Sequence, residues 1–239
     1  MFRTNCGQPV PAVTSAQMRE VDRIAVDDVG LDLLQMMENA GRCLAGNAVE
    51  MVGGQGSNVA VLAGSGGNGG GGLCCARHLL NHGYHVSIAL TKKPGDLRGA
   101  AAHQLRILQA TGLKPVDRSG VEVAVADADL VVDALVGYSL HGAPRGQVAQ
   151  LIELCNRSAS LTLSLDVPSG LDATTGEARG IVVRPARILT LGLPKSGLSR
   201  TEGELFLADI GIPAEVYRRI GVDFEWPMGS RYWVALEKG

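Results

Sequence analysis

Hydrophobic residues along this chain follow two rhythms, a helical one and a series of short unbroken runs. Thr14 and Gln17, three residues apart, form a capping box that opens a helix. Met18, Val21, Ala25 and Val29 then fall on one helical face. Leu33, Met37, Ala40, Leu44 and Ala48 mark a second helix, ended by Gly53-Gly54-Gln55-Gly56-Ser57. Asn58–Ala63 (NVAVLA) is a short apolar strand, followed by a glycine-rich loop over 64–72, a helix over 73–82 and a strand over 86–90. The alternation continues with a helix over 97–110, a strand at Leu130–Ala134 (LVVDA), a helix over 148–155 and a strand over 161–166 (LTLSLD). Strands over 188–191 and 205–210 come next, and Pro213 suits the first position of a last short helix. Beyond Asp223 the sequence holds two Trp and no clear period. Near-continuous apolar strands alternating with helices predict an α/β fold with a mostly parallel sheet covered on both faces.

Length and composition narrow the function. At 239 residues, with no repeat, low-complexity linker or charge block, one domain over 1–239 is expected. Lys and Arg total 22 against 24 Asp and Glu, a net charge of −2 that argues against nucleic acid as a partner. Only 4% of residues are aromatic, too few for a platform that stacks bases. No run of about 18 apolar residues spans a membrane and no secretory leader opens the chain. Five cysteines, an odd number, fit reduced thiols and a cytoplasmic setting.

Four groups of residues carry candidate chemistry. The run from Gly64 to Gly72 lies between a strand and a helix, where free N–H groups meet an anion. It matches G-x-G-x-x-G, but the next strand ends Leu90-Thr91-Lys92-Lys93, without the acid that holds a ribose in NAD(P)-dependent oxidoreductases. Lys92 and Lys93 there are either a 2′-phosphate contact or solvated lysines. Asp133 and Asp166 lie at the ends of two strands and are expected to face the same crevice as the glycine loop, or else to cap the turns that follow. In Asp166-Val167-Pro168-Ser169-Gly170-Leu171-Asp172, Pro168 and Gly170 shape a turn that fixes Asp166 and Ser169, and oxygens of Asn68, Asp133 and Ser169 suit a hard cation. Cys74, Cys75, His78 and His82 have helical metal-ligand spacing, against the simpler reading of buried thiols with outward histidines. Ser65 has no G-x-S-x-G context for a nucleophile.

Five segments taken together resemble the N-terminal domain of YjeF proteins, the NAD(P)H-hydrate epimerase family. They are Met37-Glu38-Asn39-Ala40-Gly41, the loop from Gly64 to Leu73, Val132-Asp133-Ala134-Leu135-Val136-Gly137, Leu165 to Asp172, and Leu193-Pro194-Lys195-Ser196-Gly197-Leu198. Gly203-Glu204-Leu205 and Ala208 to Pro213 are similar to the family's closing strand, so the resemblance covers roughly 12–222, with 223–239 as a tail. It implies a Rossmann-like three-layer sandwich and a homodimer. The implied activity is epimerisation of hydrated NADH and NADPH, NAD(P)HX, at the hydroxyl-bearing C6 of the reduced nicotinamide ring. A dehydratase then repairs one epimer, here on a separate chain. The resemblance places substrate phosphates on Gly67, Asn68, Gly69, Gly70 and Gly71. It lines the substrate site with Gly137, Tyr138, Ser139, Leu140, His141, Gly142 and Ala143. It makes Asp166 both a substrate contact and the catalytic acid/base, puts a potassium ion on Asn68, Asp133 and Ser169, and gives Lys195 a part in holding phosphate. Members typically read G-x-G-N-N-G-G-D-G, whereas this chain has Gly67 and Gly71 at the first Asn and the Asp. That departure motivates an alternative, a catalytically degenerate domain that binds a nucleotide or a protein as a scaffold.

Overall fold

The computed structural model describes residues 1–158 and 160–239. Its strands are β1 (Phe2–Thr4), β2 (Pro9–Val10), β3 (Asn58–Ala63), β4 (His85–Leu90), β5 (Leu130–Ala134), β6 (Leu161–Leu165), β7 (Arg187–Leu191), β8 (Glu204–Ala208) and β9 (Trp233–Lys238). Its helices are α1 (Ser15–Arg23), α2 (Leu33–Val52), α3 (Gly67–Asn81), α4 (Gly99–Ala110), α5 (Gly120–Ala126), α6 (Gly146–Arg157) and α7 (Ala214–Arg219). The strands form one sheet in the order β2-β1-β9-β8-β7-β6-β5-β3-β4. From β4 to β8 all neighbours are parallel, and β9, β1 and β2 add an antiparallel end. The mostly parallel, three-layer α/β fold expected from the pattern is the one observed.

Period-2 alternation divides each central strand between two cores. Val59, Val61 and Ala63 of β3 pack with residues of α1, α2, α3, α4 and α7. Ala60 and Leu62 pack with Val121 and Val125 of α5 and Leu151 and Ile152 of α6. The strands therefore read as continuous apolar runs because both faces are covered. Chain order along the sheet reverses between β3 and β5, since β4 returns to the edge beside β3 before β5 pairs on the other side. In open α/β sheets the ligand crevice lies outside the carboxyl ends of the strands at such a reversal.

Several boundaries differ from the sequence pattern. The Thr14–Gln17 capping box is present, with Gln17 N–H donating to Thr14 Oγ1 at 3.2 Å and Thr14 N–H to Gln17 Oε1 at 2.9 Å. Val29 leaves the predicted face: Ile24–Asp28 is a π turn, whose extra residue per turn rotates Val29 to 43% exposure. Leu33, at the first position of α2, is also exposed. The glycine run is a loop only to Gly66, because α3 begins at Gly67, six residues before the predicted start. A Cβ at Gly70 would meet Ala100 at 2.7 Å, one at Gly71 would meet Leu165 at 2.8 Å, and one at Gly72 would overlap Ala134. The glycines thus let a helix lie against the sheet and α4, and close packing overrides their poor helix propensity.

The unpatterned tail is structured. β9 sits between β8 and β1, with Val234 and Leu236 buried and the Trp233 ring over Gly46. Trp226 stacks on Tyr217 at 6.0 Å between centroids, and Phe224 meets the same ring edge-on at 5.5 Å. Among the described residues no helix is long and apolar enough to cross a membrane.

Candidate active site

The reversal between β3 and β5 opens into a cleft of about 430 Å³. Ser65, Gly66, Gly67 and Asn68 line one wall, Leu135, Val136, Gly137 and Ser139 another, and Thr91, Lys92, Arg145, Gln147 and Val148 its far end. Gly64 N–H donates to the Ala134 carbonyl at 3.0 Å, which ties the first two walls together. The N-terminal amides of α3 that have no intrahelical acceptor are those of Gly67, Asn68 and Gly69. The Gly70 amide already donates to the Gly66 carbonyl at 3.1 Å, and Gly70 and Gly71 are buried against Ala100 and Leu165. Gly70 and Gly71, which the resemblance places on phosphate, make room for packing here, and the amides of α3 left free for an acceptor are those of Gly67, Asn68 and Gly69.

Asp166 is held from every side. It has φ +68°, alone among the described non-glycine residues in lying at positive φ. That conformation costs a side-chain-bearing residue about 1–2 kcal/mol, and Asp and Asn tolerate it best. The Asp166 N–H donates to the Leu189 carbonyl at 2.7 Å, and the Val167 N–H closes a tight turn onto the Leu165 carbonyl at 2.9 Å. Gly170, at φ +103°, lets the turn run against Ile181, where a Cβ would overlap a carbonyl. Asp166 Oδ2 accepts from the Tyr138 N–H at 3.0 Å, and Oδ1 accepts from the Lys195 ammonium. Gly137 is the close approach: a Cβ there would lie 2.8 Å from Asp166 Oδ2 and 3.1 Å from Asn68 Oδ1. The acid and the Asn68 side chain thus converge beside Gly137, a residue of the cleft wall, with Asp166 itself nearly buried behind it.

Lys195, to which the resemblance gives a part in holding phosphate, is engaged inside the protein by Asp166. Its side chain is 0% exposed; besides Asp166 its ammonium donates to the Leu191 carbonyl at 2.8 Å. It is the counter-charge of the acid, a role that spacing alone could not have revealed. Asp22, which the sequence did not single out, accepts from the Tyr138 hydroxyl. Burial pushes the Asp22 carboxyl up, and burial together with the Asp22 charge pushes the Tyr138 phenol up. Ser139 and Leu140 follow on the same loop, and His141 and Gly142 stand exposed beyond them, with Ala143 half-buried.

Asp133 does not face the crevice beside Asp166. It is fully buried within β5, and its carboxylate accepts from Ser169 Oγ at 2.6 Å, Ser169 N at 2.9 Å and Ser164 Oγ at 2.8 Å. Ser169 Oγ in turn accepts from the Val136 N–H at 2.9 Å and lies 3.1 Å from the Val136 carbonyl. Burial pushes the Asp133 carboxyl up, while the Ser169, Ser164 and Leu135 donors pull it back down. Among the described residues no basic side chain pairs with it. A buried carboxylate with only neutral partners, next to a hydroxyl and a carbonyl oxygen, is an all-oxygen donor set that fits a hard monovalent cation. Asn68 also fits a ligand-facing role, because its Nδ2 is buried without an acceptor.

The possible metal helix divides differently. Glu38 of α2 joins Cys74 and His78 of α3, with His78 Nε2 at 2.9 Å and Cys74 Sγ at 3.2 Å from the carboxylate. Cys75 is buried in the core and His82 is exposed, so neither shares this group. Arg77 Nη2 already bridges the Glu38 carboxylate, at 2.7 Å from Oε1. Burial and the neighbouring Glu38 charge push the Cys74 thiol up to about 12. With Arg77 already on the Glu38 carboxylate, the group ties α2 to α3.

With the geometry in place, comparison with known proteins identifies the lineage. The family described as "YjeF-related protein N-terminus" matches residues 33–197. The chain belongs to the YjeF N-terminal family. An NAD(P)H-hydrate epimerase of Dehalogenimonas lykanthroporepellens is 48% identical over 239 residues, covering 98% of this chain and 96% of that one. An NAD(P)H-hydrate epimerase of Rhodopirellula baltica is 36% identical over 89% of each. A bifunctional NAD(P)H-hydrate repair enzyme Nnr of Hyperthermus butylicus is 40% identical over 96% of this chain, which spans 44% of that enzyme's length. The crystal structure of the yeast protein ynu0 superposes with a TM-score of 0.85 over 95% of the chain at 23% identity, and so supports the YjeF N-terminal fold.

Proposed function

We propose that this YjeF N-terminal domain is an NAD(P)H-hydrate epimerase, an isomerase that interconverts the R and S forms of NAD(P)HX. The observation that carries the reading is the strained, ion-paired Asp166 behind the Gly137 wall of the cleft, in a chain 48% identical, end to end, to a protein of that name. The chemistry follows from the substrate. Inverting the hydroxyl-bearing C6 requires one bond to that carbon to break and re-form. If the C–O bond breaks, the departing oxygen needs a proton; if the C–N bond breaks, the hydroxyl must lose one. Either route needs a group that gives and takes a proton at the hydroxyl oxygen, and a fixed carboxylate does this when it lies within hydrogen-bond reach.

The surrounding residues divide the remaining tasks. The Tyr138 amide and the Lys195 ammonium fix the two oxygens of Asp166, so that the acid enters the reaction already oriented. Asn68 offers its unpartnered amide to the substrate beside Gly137. Asp133, Ser169 and Asn68 are the residues that would hold a potassium ion, which would supply positive charge behind the cleft wall at Val136. Gly67 and Gly71, one turn apart on α3, place Met37 Sδ 3.8 Å from where each Cβ would stand. The side chains the family carries there are replaced by an apolar wall, and Asp166, Asp133 and Ser169 are untouched by the change. The active form is read as a homodimer.

The test is direct. Purified R-NADHX incubated with the protein in potassium buffer is expected to yield S-NADHX, followed by chromatography, far above the spontaneous rate, and more slowly when potassium is replaced by a bulky organic cation. No rate above background would sink the epimerase reading. Retained binding of NADP⁺ in that case would favour the scaffold alternative.

A further inference from the structure

The far end of the cleft takes no part in the acid/base chemistry, yet it is strongly polarised. Lys92 stands just beyond the C-terminal end of β4, and Arg145 caps the start of α6. Both line the cleft, and no carboxylate is among its lining residues. Among the described residues neither has an ion-pair partner, whereas Arg23, Arg77, Arg187 and Arg218 each hold an acid. Asn68 lines the same space, and the N-terminal ends of both α3 and α6 open onto it. Unpaired cations and two helix N-termini around one concave space are the electrostatics of an anion site.

We infer that Lys92 and Arg145 clamp phosphoryl groups of the substrate and set its preference between the two hydrates; this rests on the epimerase reading. Both hydrates carry the pyrophosphate bridge, and only NADPHX carries a 2′-phosphate. β4 pairs with β3, the strand that feeds the phosphate-facing helix. In dinucleotide folds the end of that neighbouring strand selects the ribose, an acid binding the 2′-hydroxyl and a cation the 2′-phosphate. Lys92 occupies this position, so the geometry gives it the 2′-phosphate. Arg145, whose planar fork suits two oxygens at once, takes the bridge.

Steady-state kinetics on NADHX and NADPHX for the intact chain, Lys92→Ala and Arg145→Ala, with calorimetric titration of NAD⁺ and NADP⁺, tests this. Removing one charged contact is worth about a tenfold change. Lys92→Ala is expected to lower the preference for NADPHX over NADHX about tenfold through KM, and the preference for NADP⁺ over NAD⁺ likewise. Arg145→Ala is expected to raise KM about tenfold for both hydrates. Equal losses on both hydrates with Lys92→Ala would overturn its assignment to the 2′-phosphate, and wild-type constants in both variants would overturn the clamp. The titrations need no turnover. A chain that epimerises nothing but loses NADP⁺ selectivity with Lys92→Ala would refute the activity and keep the clamp.

Discussion

At the scale of single residues, the buried pair of Asp166 and Lys195 bears first on stability. Lys195 is fully enclosed and Asp166 nearly so. Removing one partner of such a pair strands a charge without water and costs about 3–5 kcal/mol. Lys195→Met is therefore expected to lower unfolding free energy by about that amount in urea titrations, and Lys195→Met combined with Asp166→Asn to recover part of the loss. Additive losses in the double variant would show that the two do not act as a pair. Asp166 itself was visible in the sequence, because it ends an apolar strand just before a Pro-Ser-Gly turn. Its partner was not: Lys195 reads as an ordinary polar residue after Leu193-Pro194, and only the fold brings it under the acid. Asp22 escaped for the same reason, lying 116 residues from its partner Tyr138.

At the scale of elements, α3 shows how pattern and packing diverge. Six consecutive helical positions from Gly67 to Gly72 hold five glycines and Asn68, a composition that predicts a loop. What makes them helical is contact with α4, β5 and β6, which no local signal records. The contrast is testable. Gly69→Ala would drive a Cβ into the Gly64 carbonyl and is expected to cost about 3 kcal/mol, whereas Gly66→Ala, with nothing within 4 Å, is expected to shift the melting temperature little. Equal effects would mean that the glycines serve flexibility and not close approach. The tie between α2 and α3 gives a pH signature. Burial raises the Glu38 carboxyl, but hydrogen bonds from Arg77, Cys74 and His78 outweigh it and hold the group at about 2, below its ordinary 4.5. A lowered acid stabilises the fold above its unfolded value and loses that contribution as pH falls through its folded one. Thermal melts of Glu38→Gln are thus expected to lie below wild type at pH 7, with the gap closing between pH 4.5 and 2. A gap that persists at pH 2 would contradict the ion pair.

At the scale of the molecule, the sheet order places the chemistry. The central strands were legible because burial on both faces makes them unbroken apolar runs, as in Asn58–Ala63 and Leu130–Ala134. The sheet's antiparallel end was not legible: β1 and β2 have three and two residues, too few for a period. In β9 the alternation of Val234 and Leu236 is short and flanked by polar residues. The order of strands, and with it the reversal between β3 and β5, is not written in any one segment. It is what brings the end of α3, the Gly137 loop and the Asp166 turn to one cleft. In the proposed reaction Asp166 is the group that moves the proton at the hydroxyl oxygen on C6. Asp166→Asn tests it most directly, because Asn also tolerates positive φ and keeps the Tyr138 contact while losing the proton-accepting carboxylate. With folding verified by its melting curve, the variant is expected to interconvert R- and S-NADHX at least about 10²-fold more slowly than the wild-type chain. A variant that is folded and epimerises at the wild-type rate would contradict the account.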